Sequence, residues 1–371
     1  MAARLVLHIG VQKSGTTYVQ RVLRTCADDL AAAGFAYPLP RSADPASNRN
    51  PHETASYGLL GTEYPWVSDE RTEAERGSWA WLAGRVRDWP DTALVSAEAL
   101  SVVREDAARR LIDDLGVADV QVVATARGLG SLLPSAWQQH LRNGRSLGFG
   151  TFLGRLAEER ERGWESVETE HGAHLWRAFA LGRLARRWGR VVGPERVTVV
   201  TNRGKPPELL WRRFAEAAGL PGEIAPRPEM GAPAHTGLTA AEAIVLESVN
   251  ARLARAAWGR DRRVGFREQL IHQGFAVRTE RGPRISVPPE HRSAVEKWSA
   301  EDLDELADSG ARVIGDLEEL RFDPEREPDQ PTVADISAAA GAAVLAVAGA
   351  DAAESAPVRT GRRVARVLRR R

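Results

Sequence analysis

Short apolar runs alternate along the chain with stretches of helical spacing. Residues 4–9 alternate weakly and are β-branched enough to predict a buried first strand that leads straight into a glycine loop. Beyond the loop, Val19, Val22, Leu23, Cys26 and Leu30 fall on one face of a helix that Gly34 closes. Residues 92–97 predict a second strand, 105–115 an amphipathic helix, 120–126 a third strand and 132–141 a helix. The stretch 174–188 reads as helix, 196–201 as a fourth strand, and 208–218 as a helix closed by Gly219. Longer helices over 239–257 and 288–308 follow. Strands separated by helices predict a three-layer α/β fold, a central parallel sheet flanked by helices on both faces. Residues 36–92, rich in Pro, Asn, Ser, Trp and charge, predict irregular loops with one helix over 79–86. The expected organisation is one α/β domain over 1–322, with 36–92 as an irregular insertion, and an Ala/Arg-rich tail over 323–371.

Composition and charge narrow this picture. Apolar residues make up 43% of the 371, too many for a disordered chain. One cysteine, Cys26, cannot form an internal disulfide, and no Cys/His cluster has zinc spacing, so no metal is expected. The net charge of +1 hides an uneven distribution, because the last fifteen residues hold seven arginines and no acid. The body is therefore mildly acidic. Only Lys13, Lys205 and Lys297 are lysines, so arginine is the default cation and its excess points to base composition, not to a nucleic-acid surface. The apolar run at the N-terminus is shorter than the roughly 7–15 residues of a secretory signal, which predicts a cytoplasmic protein. Residues 336–350 can form a helix but fall short of the roughly 20 that span a bilayer. The basic tail can lie on an anionic membrane surface, but a disordered cationic tail is the favoured expectation.

The strongest local signal is Gly10-Val11-Gln12-Lys13-Ser14-Gly15-Thr16-Thr17, between the first strand and the first helix. Such a turn aims backbone N–H groups and the positive end of a helix at an anion. The hydroxyls of Ser14, Thr16 and Thr17 add donors, and Lys13 adds a point charge. Gly10 and Gly15 have the separation of the nucleotide-triphosphate loop G-x-x-x-x-G-K-[ST], but Thr16 stands where that loop carries lysine. The glycine geometry is kept; the triphosphate–magnesium chemistry is not indicated.

Lys13-Ser14-Gly15-Thr16-Thr17 resembles the 5′-phosphosulfate loop of the sulfotransferases, K-x-G-T-T between strand and helix. The resemblance implies a P-loop-like fold, the donor 3′-phosphoadenosine 5′-phosphosulfate (PAPS), the product 3′,5′-adenosine bisphosphate (PAP) and no required metal. It places Gln12, Lys13, Ser14, Gly15, Thr16 and Thr17 on the donor, with Lys13 against the leaving phosphate. It also implies an arginine at the end of the third strand and a serine eight residues on, both for the 3′-phosphate. Arg127 and Ser135 have that spacing in that position. Arg203-Gly204-Lys205 follows the fourth strand, outside the usual place of the family's basic glycine loop, and adenine contacts stay unassigned. The likeness spans residues 4–322, with only the two phosphate elements specific.

An acceptor hydroxyl or amine needs a general base near the transferring group. Glu98 leaves the second strand at its carboxyl end, where ligands of open α/β sheets bind. In carbohydrate-type sulfotransferases a glutamate at the comparable place is the base. His52, in the irregular segment that would carry acceptor contacts, is the alternative base and is expected to face solvent. His8 is expected to pack beside the loop. Trp66, Trp79, Trp81 and Trp89 either line an acceptor cleft or anchor a lid. The expected partner is a carbohydrate or other small-molecule acceptor. A P-loop kinase and a non-catalytic nucleotide-binding or membrane-peripheral adaptor are the competing readings.

Overall fold

The computed structural model describes residues 2–41, 50–227 and 237–354. These divide into two compact units. The first comprises residues up to 139, 147–236 and 286–327; the second comprises 140–146, 237–285 and 328 onward.

Among the described residues, six strands of the first unit form one sheet: β1 (Arg4–His8), β2 (Phe35–Ala36), β3 (Thr92–Ser96), β4 (Val120–Ala126), β5 (Val197–Thr201) and β6 (Arg312–Ile314). All pair in parallel, in the order β2-β3-β1-β4-β5-β6. From β1 the chain winds toward β2 and β3, and from β4 toward β5 and β6. The topological switch point therefore lies between the carboxyl ends of β1 and β4, where an open α/β sheet forms a ligand crevice. Strands buried on both faces need continuous apolar runs, and β3 and β5 are buried at every position.

The helices of this unit run, in chain order, α1 (Thr16–Thr25), α2 (Ala27–Ala32), α3 (Pro51–Leu60), α4 (Asp69–Asp88), α5 (Glu105–Leu115), α6 (Leu129–Arg142, whose last turn enters the second unit), α7 (Phe149–Glu161), α8 (Trp164–Thr169), α9 (His174–Phe179), α10 (Leu181–Val192) and α11 (Pro207–Ala218). One sheet face, through Val6, Leu94, Val123, Val200 and Ile314, is covered by Val19, Val22 and Leu23 of α1 and by Leu210, Trp211 and Phe214 of α11. Burying a side chain such as Phe214 contributes about 2–3 kcal/mol.

The elements predicted from periodicity form, with instructive differences. The first helix breaks at Cys26, so Leu30 belongs to α2. The 174–188 helix breaks at Ala180, whose extended ψ of 88° separates α9 from α10. Strands β2 and β6 have two and three residues and carry too little pattern to be predicted. The largest correction is to 36–92, whose described residues from 50 onward hold the helical hairpin α3–α4 and not irregular loop, while 42–49 lie outside the described residues. Its two helices approach so closely that a Cβ on Gly58 would stand 2.2 Å from the Glu75 carbonyl oxygen, and one on Gly61 would overlap Thr72. Glycine backbone contact, and not an apolar stripe, joins α3 to α4, so periodicity gave little sign of it. The helices are started by caps: Asn50 accepts from the His52 N–H ahead of α3, and Ser68 accepts from the Arg71 N–H ahead of α4.

In the second unit, α12 (Ala240–Arg255) opens with a capping box between Thr239 and Glu242. After it come α13 (Arg260–Gln269) and a π-helical turn over Leu270–Phe275. The first unit resumes with α14 (Pro289–Ala307), and the second with α15 (Val333–Glu354). Glu242 is fully buried and neutralised by Arg278 and Arg281. The 323–371 tail thus begins as ordered structure, since Ala339, Ala343 and Ala346 of α15 are buried and Ala343 and Ala346 approach Gly274. The arginine-rich residues 357–371 lie outside the described residues. Among the described residues, no helix is long and apolar enough to cross a membrane.

Candidate active site

The glycine loop emerges from β1 at the switch point. The Ile9 and Val11 N–H groups still donate to Val123 and Thr125 of the β4 strand, at 2.9 and 2.8 Å, so the loop begins locked to the sheet. A Cβ on Gly10 would stand 2.3 Å from Thr16 Cγ2 and 2.9 Å from both His8 Nε2 and Thr125 Oγ1. At Gly15, φ is 101° and a Cβ would meet Leu210 at 2.5 Å. Lys13 itself is held at φ 67°, in the left-handed region that lysine seldom occupies. From the neighbouring strand end, Asn202 donates to the Ser14 carbonyl at 2.6 Å and accepts from the Gly204 N–H at 2.8 Å. The loop is thus braced from both sides, with the unpaired N–H groups of the first turn of α1 at its mouth.

Beneath it runs a buried polar network. His8 joins Ser96 of β3 at 2.8 Å to Thr125 of β4 at 3.3 Å, and Thr125 continues to Ser14 Oγ at 2.7 Å. Burial pushes His8 down to about 3, so it is a neutral imidazole that donates on one side and accepts on the other. The expectation that Ser14 offers its hydroxyl outward is corrected here. Ser14 is fully buried and donates to the Val11 carbonyl at 2.5 Å, so it shapes the loop from below. Gln12 is half-buried and Thr17 exposed.

Two further groups stand at the same sheet edge. Lys13 Nζ donates to Gln139 Oε1 of α6 at 2.8 Å. Ser135 lies one turn before Gln139 and so shares its face of α6. Arg127 leaves β4 and brings its guanidinium to the loop after β5, 3.6 Å from where a Gly204 Cβ would be. Arg203-Gly204-Lys205 therefore belongs to the same edge as the glycine loop, a placement that its sequence position did not suggest.

Beyond the end of β3 stands a pair of carboxylates. Thr16 Oγ1 donates to Glu98 Oε2, which ties the expected base directly to the anion loop. Glu98 opens the short turn Glu98–Val102. Two buried arginines clamp that turn: Arg177 donates to the Val102 carbonyl at 2.6 Å and Arg187 to the Ser101 carbonyl at 3.0 Å. Glu53 of α3 then meets the turn from the other side. It accepts from the Ala99 N–H at 3.3 Å and from Tyr57 Oη at 3.1 Å. Burial first, and the Glu98 charge second, push Glu53 up to about 7, against the opposing hydrogen bonds from Tyr57 and the backbone. Trp66 Nε1 lies 3.4 Å from Tyr57 Oη, and its ring stacks on Tyr64 at 5.4 Å. Glu53 was missed because its segment read as loop. The available signal was Asn50-Pro51-His52-Glu53, a helix start with an acid at the third helical position.

His52 is corrected as well. It is 1% exposed, accepts from the Ser96 N–H on Nδ1 at 3.1 Å and donates from Nε2 to the Pro38 carbonyl at 2.6 Å. Both ring nitrogens tie backbone to backbone, and burial pushes its pKa down to about 4. Of the four tryptophans, Trp79 is buried on Asp114 and Trp89 donates to the Gly34 carbonyl. Trp81 occupies the open side of α4, and Trp66, 45% exposed, adjoins the carboxylate pair through Tyr57. Among the described residues, no three His, Cys, Asp or Glu side chains come together as a metal site.

No family model matches the chain, and no curated protein does. Among solved structures, the crystal structure of a sulfotransferase from Alicyclobacillus acidocaldarius aligns over 85% of this chain and 97% of its own, at 14% identity and a TM-score of 0.47.

Proposed function

We propose that the chain is a sulfotransferase that moves a sulfuryl group from PAPS to a hydroxyl or amine of a carbohydrate or other small-molecule acceptor. One observation carries the reading: a lysine in left-handed conformation and a glutamate bonded to Thr16 converge on the same glycine loop. A cation for a leaving phosphate and a base for a nucleophile are the two charges this reaction needs, on opposite sides of the transferred group.

The donor's fit is supported by a backbone that side chains cannot enter at Gly10 and Gly15, and by the loop-bracing bonds of Asn202. The Lys13 ammonium neutralises the phosphate that leaves, the Thr16 and Thr17 N–H groups hold its oxygens, and Arg127 with Ser135 serves the 3′-phosphate. When bound, the donor supplies a sulfur whose bond to the bridging phosphate oxygen breaks as its bond to the acceptor oxygen or nitrogen forms. Glu98 takes the proton that the acceptor loses. Trp66 offers the acceptor a flat apolar face beside the carboxylates.

The test is calorimetric titration of wild type and Lys13→Ala with PAP and with ATP–magnesium. Metal-independent PAP binding that the substitution weakens by about 10–100-fold is expected, since a charge-assisted contact contributes roughly 1.5–3 kcal/mol. Binding of ATP only with magnesium would replace this reading with a kinase. Binding of neither would leave the adaptor reading.

A further inference from the structure

Thr16 holds a position that two partners want. Its hydroxyl belongs to the anion loop, yet it donates to Glu98. An anion seated in the loop competes for that donor and brings negative charge toward Glu98. Glu98 in turn faces Glu53 across the backbone of the 98–99 turn, where Glu53 accepts the Ala99 N–H. The groups around the Glu53 carboxyl are Glu98 from the turn, Tyr57 from its own helix and Tyr64 from the segment after α3. Glu63, the next acid along, is paired with Arg104 at 2.7 Å. Across α4, the contact is backbone at Gly58. Glu53 is thus a carboxyl withdrawn from water, met by one like charge and two neutral phenols.

We propose that Glu53 is a proton store coupled to the anion loop: it takes up a proton from solvent as the loop fills, and so removes one negative charge from the pair beside a bound polyanion. This rests on the anion-binding reading of the loop but not on sulfuryl transfer. The physical reason is charge accumulation. A bisphosphate arriving at Thr16 adds negative potential to a pair that already repels itself, and the proton goes to Glu53, which burial and the Glu98 charge already push toward its neutral form. Glu53 is a positioning residue here, since it acts through Glu98.

Two measurements test the proposal on the full chain. Calorimetry of PAP binding between pH 7.5 and 9, in buffers of different ionisation heat, counts protons taken up; over this range the phosphates are already dianionic, their second pKa being about 6. Wild type is expected to take up a substantial fraction of one proton, with Kd rising up to tenfold per pH unit, and Glu53→Gln to lose both effects. Tyr57→Phe removes a bond to the ionised carboxyl, so it is expected to keep the uptake and move its midpoint to higher pH. This second variant keeps the test decisive if Glu53→Gln does not fold. Binding without proton uptake in wild type, unchanged uptake in Glu53→Gln, or an unmoved midpoint in Tyr57→Phe overturns the proposal alone. Absence of PAP binding in wild type overturns the loop reading together with it.

Discussion

Lys13 occupies a backbone conformation that only glycine adopts without penalty, and this separates its charge from its strain. Replacing it by alanine removes the ammonium and its bond to Gln139 but keeps a Cβ at φ 67°. Replacing it by glycine removes the same ammonium and the Cβ. The left-handed conformation costs an L-residue roughly 1–2 kcal/mol. Glycine returns roughly 0.5–1 kcal/mol of this through the greater freedom of its unfolded chain. The difference predicts that Lys13→Gly is more stable than Lys13→Ala by about 0.5–1 kcal/mol, while both lose the same PAP affinity. Urea unfolding of the two variants, read as midpoints at equal slope, measures the first quantity, and calorimetry the second. If alanine is as stable as glycine, the loop is not left-handed at Lys13 in solution. If glycine retains affinity that alanine loses, the loop backbone and not the ammonium carries the anion.

Three further outcomes follow from the same geometry. Glu98→Gln is expected to lower turnover by about 10²–10⁴-fold without weakening PAP binding, measured with labelled donor once an acceptor is in hand; unchanged turnover would remove Glu98 as base. Arg177→Met leaves the carbonyls of Val102, Val167, Glu170 and His171 without their donor, and is expected to cost more than about 3 kcal/mol by thermal unfolding; a loss under 1 kcal/mol would refute the clamp. Burial pushes Asp302 up to about 7, where it accepts the Gly182 N–H at the start of α10. A raised carboxyl binds its proton more tightly folded than unfolded, so its contribution is present at acid pH and lost as pH rises from about 4 to about 7, by at most about 4 kcal/mol. Asp302→Asn is expected to flatten the stability profile across that window, and an unchanged slope would place the titration elsewhere.

Local chemistry was legible in the sequence and packing chemistry was not. Gly10, Lys13, Gly15 and Thr16 lie within one turn of chain, so their spacing alone described the loop, and the strand-end position of Glu98 brought it to the same edge. Ser14 was misjudged because a hydroxyl in a loop motif carries no mark of which way it points. Thr125, on a strand more than a hundred residues away, turns it inward. His52 was misjudged for a similar reason. Its polar neighbours suggested solvent, but the capped start of α3 presents it to the backbone of β3. Arg177 and Arg187, in a chain full of surface arginine, carried no signal at all. Their role depends on carbonyl groups left over by the 98–102 turn and the α8 end, which no residue type announces.

Glu53 shows where the boundary lies. Its helix start was written in Asn50 and Pro51, yet its chemistry arises only when α3 lies against the 98–102 turn, and that contact depends on glycines that admit α4. A carboxylate becomes a proton-binding group near neutrality through what surrounds it, not through what it is. The same holds for Lys13, whose residue type is ordinary but whose backbone conformation is not. The Lys13 ammonium is bonded to Gln139 of α6, while the arginine clamp and Thr16 hold Glu98 and its turn. Charges held by rigid backbone can stabilise charge that develops beside them without reorganising, as the proposed group transfer requires. Substitutions that loosen the frame, such as Arg177→Met, should therefore reduce turnover more than they reduce PAP affinity, since the proposed base depends on the clamp and the glycine loop on β1 and β4.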